Sequence, residues 1–390
     1  MALVYGDVHI HIGRTSTGKP VKITASPKLT LENIPGAAQE KGLGLIGLVD
    51  AACRGVLQDL EILTASGKMQ LIPGGGYLCE GVTLLLGHEV EIAHTTTGRE
   101  AHFLGFFPDL TNLQSYAREL APSVTNPSLS TQRLRMDGDT WLEMVIAHQG
   151  VALAAHAFTP HKGVYGNCVR QLGEMFSRPD LISGLELGLS ANTDMAAQIQ
   201  DTHRYTYISN SDAHSLATMG REFTVYDLPS PSFKAWAGAL RGPKGGIVAT
   251  HGLEPLLGKY YRSYCKACQL LARGDHPVSR CQACGGPVVY GVWDRLREVA
   301  DVSWDLPRKP PYRSHVPLMM LPGIGPKIYG QLIEKLGTEI EVMYTVSLEA
   351  IGDLVGADVA EQIAGVRQGN LPIQPGGGGK YGRVKKAQER

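Results

Sequence analysis

The stretch "VYGDVHIHIG" (residues 4–13) decides how the rest of the chain is interpreted. Its apolar residues predict a buried β-strand, and that strand carries His9 and His11. Residues two apart on a strand point to the same face, so both imidazoles face one side. Such a pair can bind one metal centre, although two ordinary histidines are the alternative when the motif is taken alone.

The composition is that of a folded protein with two or three domains. The chain has 390 residues, which is more than one compact core normally contains. Lys+Arg and Asp+Glu number 37 each, so contact with nucleic acid requires local basic patches. The sequence shows neither a signal peptide nor an apolar run of about 20 residues, the length that spans a bilayer. We therefore expect a soluble, cytoplasmic protein without a membrane partner.

Strand and helix signals alternate over the first 250 residues. Segments such as "LENIPGAAQEKG" and "DTWLEMVIAHQG" have helical spacing of apolar residues and end in glycine. The alternation predicts a parallel α/β sheet or barrel. Seven apolar runs predict its strands, at 3–12, 43–50, 82–92, 101–107, 150–157, 182–189 and 205–215.

Changes in composition predict the domain boundaries. We expect a barrel over 1–250, a cysteine-rich module over 251–304 and a Pro/Arg/Lys-rich linker over 305–317. Residues 318–390 then form a helical domain that contains a glycine hairpin. Its tail, "QPGGGGKYGRVKKAQER", is glycine-rich and then basic, and we expect it to be mobile.

Further residues of metal-ligand type lie in or next to the predicted strands. The carboxyl ends of parallel strands meet at one mouth of a barrel, which would bring such residues together. Imidazoles combined with carboxylates suit Zn²⁺, Mn²⁺ or Fe²⁺. The sequence therefore predicts a multinuclear metal site formed by His9, His11, Asp50, Glu89, His102, His156, Glu186, Asp212 and His214.

This set, apart from Glu186, resembles the metal-binding pattern of the PHP (polymerase and histidinol phosphatase) superfamily. The resemblance implies a distorted seven-stranded β/α barrel with two or three divalent metals (Zn²⁺, Mn²⁺ or Mg²⁺), which hydrolyses phosphoesters. We expect Asp212, His9 and Glu89 to be catalytic, with Asp212 orienting the attacking water.

One position departs from the superfamily pattern. A histidine often lies close to the aspartate of the second motif, whereas Asp50 is followed here by Ala51 and Ala52. One metal would then bind more weakly, or Glu186, His161 or Cys53 would complete its site.

Four of the seven cysteines form a zinc pattern. Cys265, Cys268, Cys281 and Cys284 make two C-x-x-C pairs with twelve residues between them, which predicts a structural Zn²⁺. Cations and aromatic residues around the first pair, in "LGKYYRSYCKAC", suit a DNA-strand-binding surface, and a solvated basic rim is the alternative.

The stretch "LPGIGPKIYGQL" (321–332) predicts a tight turn at the start of a helix. Its exposed amides, together with Lys327, could hold a DNA phosphate, and Gly323 and Gly325 allow the turn. The stretch resembles the hairpin of helix-hairpin-helix motifs, but Pro317 leaves at most one helical turn before it. An ordinary interhelical turn is the alternative.

The order of barrel, zinc module and hairpin resembles the endonuclease Q family. The stretches that carry the resemblance cover most of the chain: "HIHIGRTSTGKPVKIT", "AHAFTPHKGVYG", "LELGLSANTDM", "SNSDAHS", "LGKYYRSYCKAC" and "PGGGGKYGRV". The resemblance implies a DNA-repair nuclease that cuts 5′ to deaminated bases (uracil, hypoxanthine, xanthine) and abasic sites. Its partner is DNA that contains such a nucleotide.

A flipped-out nucleotide would need a pocket beside the metals. We expect Phe158, His161 and Tyr165 to stack there, with Gly163 and Gly166 offering an exposed backbone amide. Packing at the barrel mouth is the alternative role for these residues. Arg14, Lys19 and Lys22 would hold the DNA backbone.

Two other functions compete with this one. A small-molecule PHP phosphatase needs the barrel but leaves the zinc module, hairpin and basic tail without a role. A non-catalytic DNA-binding adaptor fits the missing histidine near Asp50 but not the otherwise complete ligand set.

Overall fold

The structure is a computed structural model that describes residues 2–241, 246–302, 307 and 309–385. The first part of the chain contains, in order, β1 (Ala2–Ile10), α1 (Ile34–Lys41), β2 (Leu45–Leu48), α2 (Arg54–Ala65), β3 (Met69–Leu71), β4 (Tyr77–Cys79), β5 (Val82–Ala93), β6 (Glu100–Phe107), α3 (Leu110–Leu120), α4 (Gly138–Ala147), β7 (Val151–Ala154), β8 (Ile182–Glu186), α5 (Thr193–Ala196), β9 (Thr206–Ile208), β10 (Phe223–Leu228), α6 (Phe233–Ala239) and β11 (Ile247–Leu253).

The remaining elements are β12 (Tyr264–Cys265), β13 (Leu270–Leu271), α7 (Val292–Val299), β14 (Tyr312–His315), α8 (Pro326–Leu336), α9 (Glu339–Tyr344), α10 (Leu348–Val355), α11 (Ala357–Gln368), β15 (Ile373–Gln374) and β16 (Arg383–Val384). None of the helices in the described ranges is long and apolar enough to cross a membrane.

One curled twelve-stranded sheet, covered by helices, forms the predicted distorted barrel. Its main path runs β14-β11-β10-β1-β2-β5-β6-β7-β8-β9, and the β3–β4 hairpin joins β5. The sheet curls far enough for the segment after β9 to reach β1: Ala213 donates to the carbonyl of His9 and accepts from the amide of His11. All seven predicted strands form, and so do the helices expected from the two quoted segments.

The sheet is mixed rather than parallel, which corrects one expectation. β5, β6 and β7 pair antiparallel, and β10 lies antiparallel to both β1 and β11. Only six residues (94–99) join β5 to β6, and a parallel crossover needs about a dozen or more. The start of β6 therefore pairs with the C-terminal half of β5, and this register places His102 opposite Glu91.

The predicted domain boundaries do not coincide with breaks in the sheet. β11 runs across the boundary at 250/251, and β14, inside the predicted 305–317 linker, pairs in parallel with β11. Residues 303–306 and 308 of this region lie outside the described residues. Helices α8 to α11 pack around a separate apolar core that also includes Leu253 and Val316 from the ends of the sheet region. The barrel and the helical domain thus share an interface of packed side chains.

The C-terminal tail is packed where mobility was expected. We call residues 372–385 the strap; β15 pairs with β16 within it. Gly376 and Gly382 donate backbone hydrogen bonds to the carbonyls of Leu256 and Leu257 at 2.8 and 2.9 Å. A Cβ at Gly376 would lie 2.4 Å from a backbone nitrogen, so this glycine is required by close backbone approach. Residues 386–390 of the tail lie outside the described residues.

A candidate metal centre at the mouth of the barrel

Two buried histidines at the end of β1 are held by carboxylates behind their rings. His9 Nδ1 lies 2.9 Å from Glu186 Oε2, and His11 Nδ1 lies 3.1 Å from Asp50. A carboxylate at Nδ1 favours the tautomer whose Nε2 lone pair points away from it, which is how proteins orient metal-binding imidazoles. Both Nε2 atoms are buried without a hydrogen-bond partner.

The candidate ligands form two groups that could each hold a metal ion. One contains His9, His11 and Asp212, and the other contains Glu89, His102 and His156, with ligand atoms within 4.8 Å of one another in each. Asp212 Oδ1 lies 3.5 and 3.4 Å from the two Nε2 atoms of the first group. In the second group, Glu89 Oε1 lies 3.1 Å from His102 Nδ1, another buried nitrogen without a hydrogen-bond partner. Orphaned nitrogens that face carboxylates fit divalent metals such as Zn²⁺ or Mn²⁺.

Three predicted ligands fall outside these two groups. The Asp50 carboxylate accepts hydrogen bonds from the amide of Ile12 and the hydroxyl of Ser130 in addition to its contact with His11. Glu186 similarly accepts from Asn210 behind His9. Both carboxylates thus contact the rings of candidate ligands; Glu186 Oε1 is buried without a hydrogen-bond partner, and the assignment of the two residues as ligands stays a prediction. His214 lies at the rim, with its Nδ1 3.5 Å from Asp212 Oδ1.

Backbone strain is concentrated at this site. Seven non-glycine residues in the described ranges have positive φ angles, and four of them line the same cavity: Thr131, His156, Lys162 and Asp212. His156 has φ of 29° and Asp212 has φ of 46°. Such conformations cost about 1–3 kcal/mol each and cluster at functional sites, where the surrounding structure holds the backbone in place. The strain independently indicates that this cavity is the functional site.

Neighbouring cationic side chains keep the two carboxylates of the ligand groups ionised. Burial acts to raise the pKa of Glu89, but the neighbouring Lys22 and His102 outweigh it and hold that pKa well below its usual range. Burial likewise opposes ionisation of Asp212, yet His9 and His11 keep its pKa well below the usual range. Both carboxylates are therefore ionised at neutral pH, as ligands for a divalent cation must be.

Sequence reasoning missed two residues at this centre. Lys22, predicted to hold the DNA backbone, points inwards, and its Nζ lies 3.1 Å from Glu89 Oε2. Glu91 lies 3.4 Å from His102 Nε2 and orients that ring. Glu91 follows Glu89 by two residues on β5, so the same-face rule could have found it. Lys22 had no such signal, because it follows β1 in an irregular loop.

The metal groups open into a cavity of about 950 Å³ that three distant parts of the chain enclose. His161 comes from the loop after β7, Lys259 and Tyr260 from the approach to the zinc module, and Tyr381 from the strap. The rings of His161 and Tyr260 meet edge to face at 4.8 Å, and Lys259 Nζ lies 4.6 Å from the centre of the Tyr381 ring. This volume is at the upper end of that of ordinary ligand pockets.

Four of the residues predicted to form the lesion pocket do not line this cavity. Phe158 and Tyr165 are fully buried and stack on each other at 5.5 Å, so neither can stack on a nucleotide. The amide of Gly166 donates to the carbonyl of Ala157, and a Cβ there would lie 2.0 Å from the carbonyl oxygen of Thr159. A Cβ at Gly163 would lie 2.4 Å from the same oxygen. These residues form the tight packing beneath the mouth, which was the alternative weighed for them.

The remaining predicted DNA contacts lie on the surface. Arg14 and Lys19 are exposed on the turn after β1, outside the cavity lining. Lys327 is exposed at the start of α8, and Gly323 has φ of 87° with open space around its Cβ position. Gly325 precedes α8 and also has open space around it. A single 3₁₀ turn, residues 318–320, precedes this hairpin, as Pro317 led us to expect.

The four cysteines of the C-x-x-C pairs converge. Their sulfur atoms lie within 4.8 Å of one another, and Cys265 Sγ is 3.8 Å from Cys284 Sγ. A tetrahedral ion with Zn–S bonds of about 2.3 Å requires sulfurs at roughly this spacing. Gly285 adopts φ of 67° in the turn after the second pair. The geometry fits a closed structural metal site.

Comparison with known proteins identifies close relatives. No protein-family model matches the chain. The uncharacterized protein YqxK of Bacillus subtilis is 39% identical over 99% of this chain and 100% of its own length. The uncharacterized protein MJ0043 of Methanocaldococcus jannaschii is 33% identical over 59% of this chain and 31% of its own length.

Two solved structures resemble the whole chain. The lesion-specific endonuclease PfuEndoQ of Pyrococcus furiosus has a TM-score of 0.84 and 31% identity, and the match covers 98% of this chain and 95% of that one. An endonuclease Q bound to a 27-mer duplex with an abasic lesion at its active site has a TM-score of 0.85 and 30% identity. That match covers 100% of this chain and 98% of the other.

Proposed function

Because the chain belongs to the endonuclease Q family, we propose that it is a metal-dependent DNA-repair endonuclease that cuts duplex DNA at damaged nucleotides. The observation that carries the proposal is the pair of ligand groups, with orphaned, oriented imidazole nitrogens at the floor of a large cavity. Neither a ligand site this complete nor the strain in its backbone is expected of a non-catalytic adaptor. The structural zinc module and the exposed hairpin give the protein additional surfaces for the DNA backbone.

The residues of the site have distinct tasks in this proposal. His9, His11 and Asp212 would hold one divalent ion, and Glu89, His102 and His156 another, while Zn²⁺ would occupy the four cysteines. Divalent ions held there supply an activated water and stabilise the charge of the phosphodiester. Asp50, Glu186 and Glu91 keep the imidazole rings in the tautomers that point into the site.

The damaged nucleotide would enter the cavity after flipping out of the duplex. Unpairing costs a few kcal/mol, and less for a mispaired or abasic position. Tyr260 and Tyr381 offer aromatic surfaces, and Lys259 offers an ammonium that suits a base carbonyl. We propose that deaminated bases (uracil, hypoxanthine and xanthine) and abasic sites are accepted, with cleavage on the 5′ side leaving a 3′-hydroxyl and a 5′-phosphate.

A nicking assay tests this function against its rivals. The purified full-length chain is incubated with Mn²⁺ or Mg²⁺ and, in separate reactions, with a phosphomonoester and with duplex oligonucleotides that carry uracil, hypoxanthine, an abasic site or no lesion. The product ends are mapped, and binding of uncleaved duplexes is measured by fluorescence anisotropy. We expect nicks at lesions and an intact control duplex. Hydrolysis of a phosphomonoester without nicking would instead indicate a small-molecule phosphatase, and lesion binding without nicking would indicate an adaptor.

A further inference from the structure

The side chain of Lys22 reaches the metal ligands from the loop that follows β1. Its backbone N–H donates to the carbonyl of Ile12 at 2.9 Å, directly beyond β1, and its side chain is 14% exposed. The ammonium lies 3.1 Å from Glu89 Oε2 and donates to Thr131 Oγ1. Thr131 has φ of 53°, which is costly for a β-branched residue. The fold therefore holds strain at the residue that positions this ammonium.

The two oxygens of Glu89 have different partners. Oε1 lies 3.1 Å from His102 Nδ1 and 3.5 Å from His156 Nε2, so it faces the second ligand group. Oε2 contacts Lys22 at 3.1 Å, accepts from the Thr131 hydroxyl at 2.6 Å and lies 3.5 Å from His11 Nε2 of the first ligand group. Glu89 thus faces both ligand groups, and its Oε2 is also paired with a cation of the chain itself.

The barrel offers no third set of ligands near Asp50 among the residues that the structure describes. The Asp50 oxygens are occupied by Ile12, Ser130 and His11. Ala51 and Ala52, which follow, have no ligand atoms in their side chains. A third divalent ion in this part of the site would have to compete with the Lys22 ammonium for Glu89 Oε2.

We propose that this barrel takes two divalent metals, and that the ammonium of Lys22 supplies the positive charge of a third ion. Lys22 lines the cavity, so the same ammonium would lie beside a phosphodiester bound there as well as beside Glu89. It would balance part of the negative charge of Glu89 and stabilise negative charge on the reacting phosphate. The inference rests on the metal site in the proposed function.

Counting metals tests the inference without a substrate. The full-length protein is stripped with a chelator and reloaded with Mn²⁺, and bound manganese and zinc are measured by elemental mass spectrometry. We expect two manganese ions per chain in the barrel and one zinc ion in the cysteine site. Three manganese ions would overturn the Lys22 assignment alone, whereas no barrel manganese would refute the metal site as well.

A Lys22→Met variant tests the charge directly. We expect it to retain two manganese ions and an unchanged melting temperature within a few degrees, and to lose about 100-fold or more in cleavage rate. Lys28→Met removes the same charge from an exposed position of the same loop, and should cut like the parent. Unchanged cleavage by Lys22→Met would overturn the inference; if that variant fails to fold, the metal count of the parent still decides.

Discussion

Arg221 of the barrel donates a hydrogen bond from Nη1 to the hydroxyl of Tyr381 in the strap, 160 residues further along the chain. The same guanidinium donates to the backbone carbonyls of Ser211 and Asp212, so it connects the strap to a candidate metal ligand. The strap therefore forms one wall of the functional cavity. This contact joins the barrel to the C-terminal strap beside the cavity proposed to hold the damaged nucleotide.

Replacing Tyr381 should weaken the capture of the nucleotide. Tyr381→Ala removes an aromatic surface, and base–aromatic stacking contributes about 1–3 kcal/mol per base, so we expect roughly a 5- to 150-fold loss of affinity for lesion DNA. Tyr381→Phe keeps the ring and loses the Arg221 contact, and should lose less. Fluorescence anisotropy with a uracil-containing duplex measures both; equal affinity of the Ala variant and the parent would exclude stacking of the base on the strap.

Asp212→Asn should abolish cleavage and leave DNA binding intact. The change removes the charge that lies 3.4–3.5 Å from two imidazole nitrogens, while asparagine tolerates the left-handed backbone at this position. Nicking and anisotropy assays separate the two properties. Asp180→Asn makes the same change at an exposed position and serves as the control. Normal nicking by a folded Asp212→Asn protein would contradict the assignment.

Neutralising a carboxylate behind an imidazole should weaken metal binding. We expect Glu186→Gln or Asp50→Asn to lower Mn²⁺ affinity about 10- to 100-fold, because the ring loses the partner that fixes its tautomer. Calorimetric titration of the stripped protein gives the affinity. Glu119, which pairs with His148 at 2.8 Å on the surface, provides a matched control as Glu119→Gln. Identical Mn²⁺ affinity in all three variants would mean that the carboxylates are not positioning residues.

Loss of one cysteine ligand should release zinc and loosen its module. Cys265→Ser or Cys284→Ser leaves three thiolates, and structural zinc binding is coupled to local folding. We expect zinc content to fall by one ion per chain and protease sensitivity to rise in 251–302. Cys168→Ser changes a buried cysteine outside the cluster and should retain its zinc. Unchanged zinc in either test variant would refute a four-cysteine site.

The sequence predicted the strands and most of the site because both follow local patterns. The H-x-H pair needs only the two-residue period of a strand, and the cysteine spacing needs only a chain turn between pairs. The contact of Asp50 with the His11 ring needed three dimensions, since a metal ligand and a carboxylate that contacts a ligand are the same residue type in sequence. The inward direction of the Phe158 ring also needed the structure. Tyr381 reaches the cavity because the glycines of the strap pack against residues 256 and 257, whereas the composition of this segment predicted a mobile tail.

The cavity should distinguish deaminated from normal bases at one exocyclic group. Uracil carries a carbonyl acceptor where cytosine carries an amine donor, and hypoxanthine differs from adenine in the same sense. Lys259 lines the cavity with an ammonium, which has three donor hydrogens and no acceptor. A donor facing the amine of cytosine is left unpaired, at a cost of about 1–3 kcal/mol, which corresponds to roughly 5- to 150-fold discrimination. We therefore expect a uracil–adenine pair to be nicked much faster than a cytosine–adenine mismatch in the same duplex. In Lys259→Met, the ratio of the uracil rate to the mismatched-cytosine rate should fall. The remaining difference should reflect only how easily each base flips out of its pair. If the parent cuts the mismatched cytosine as fast as the uracil, the enzyme senses helix distortion and does not read the edge of the base.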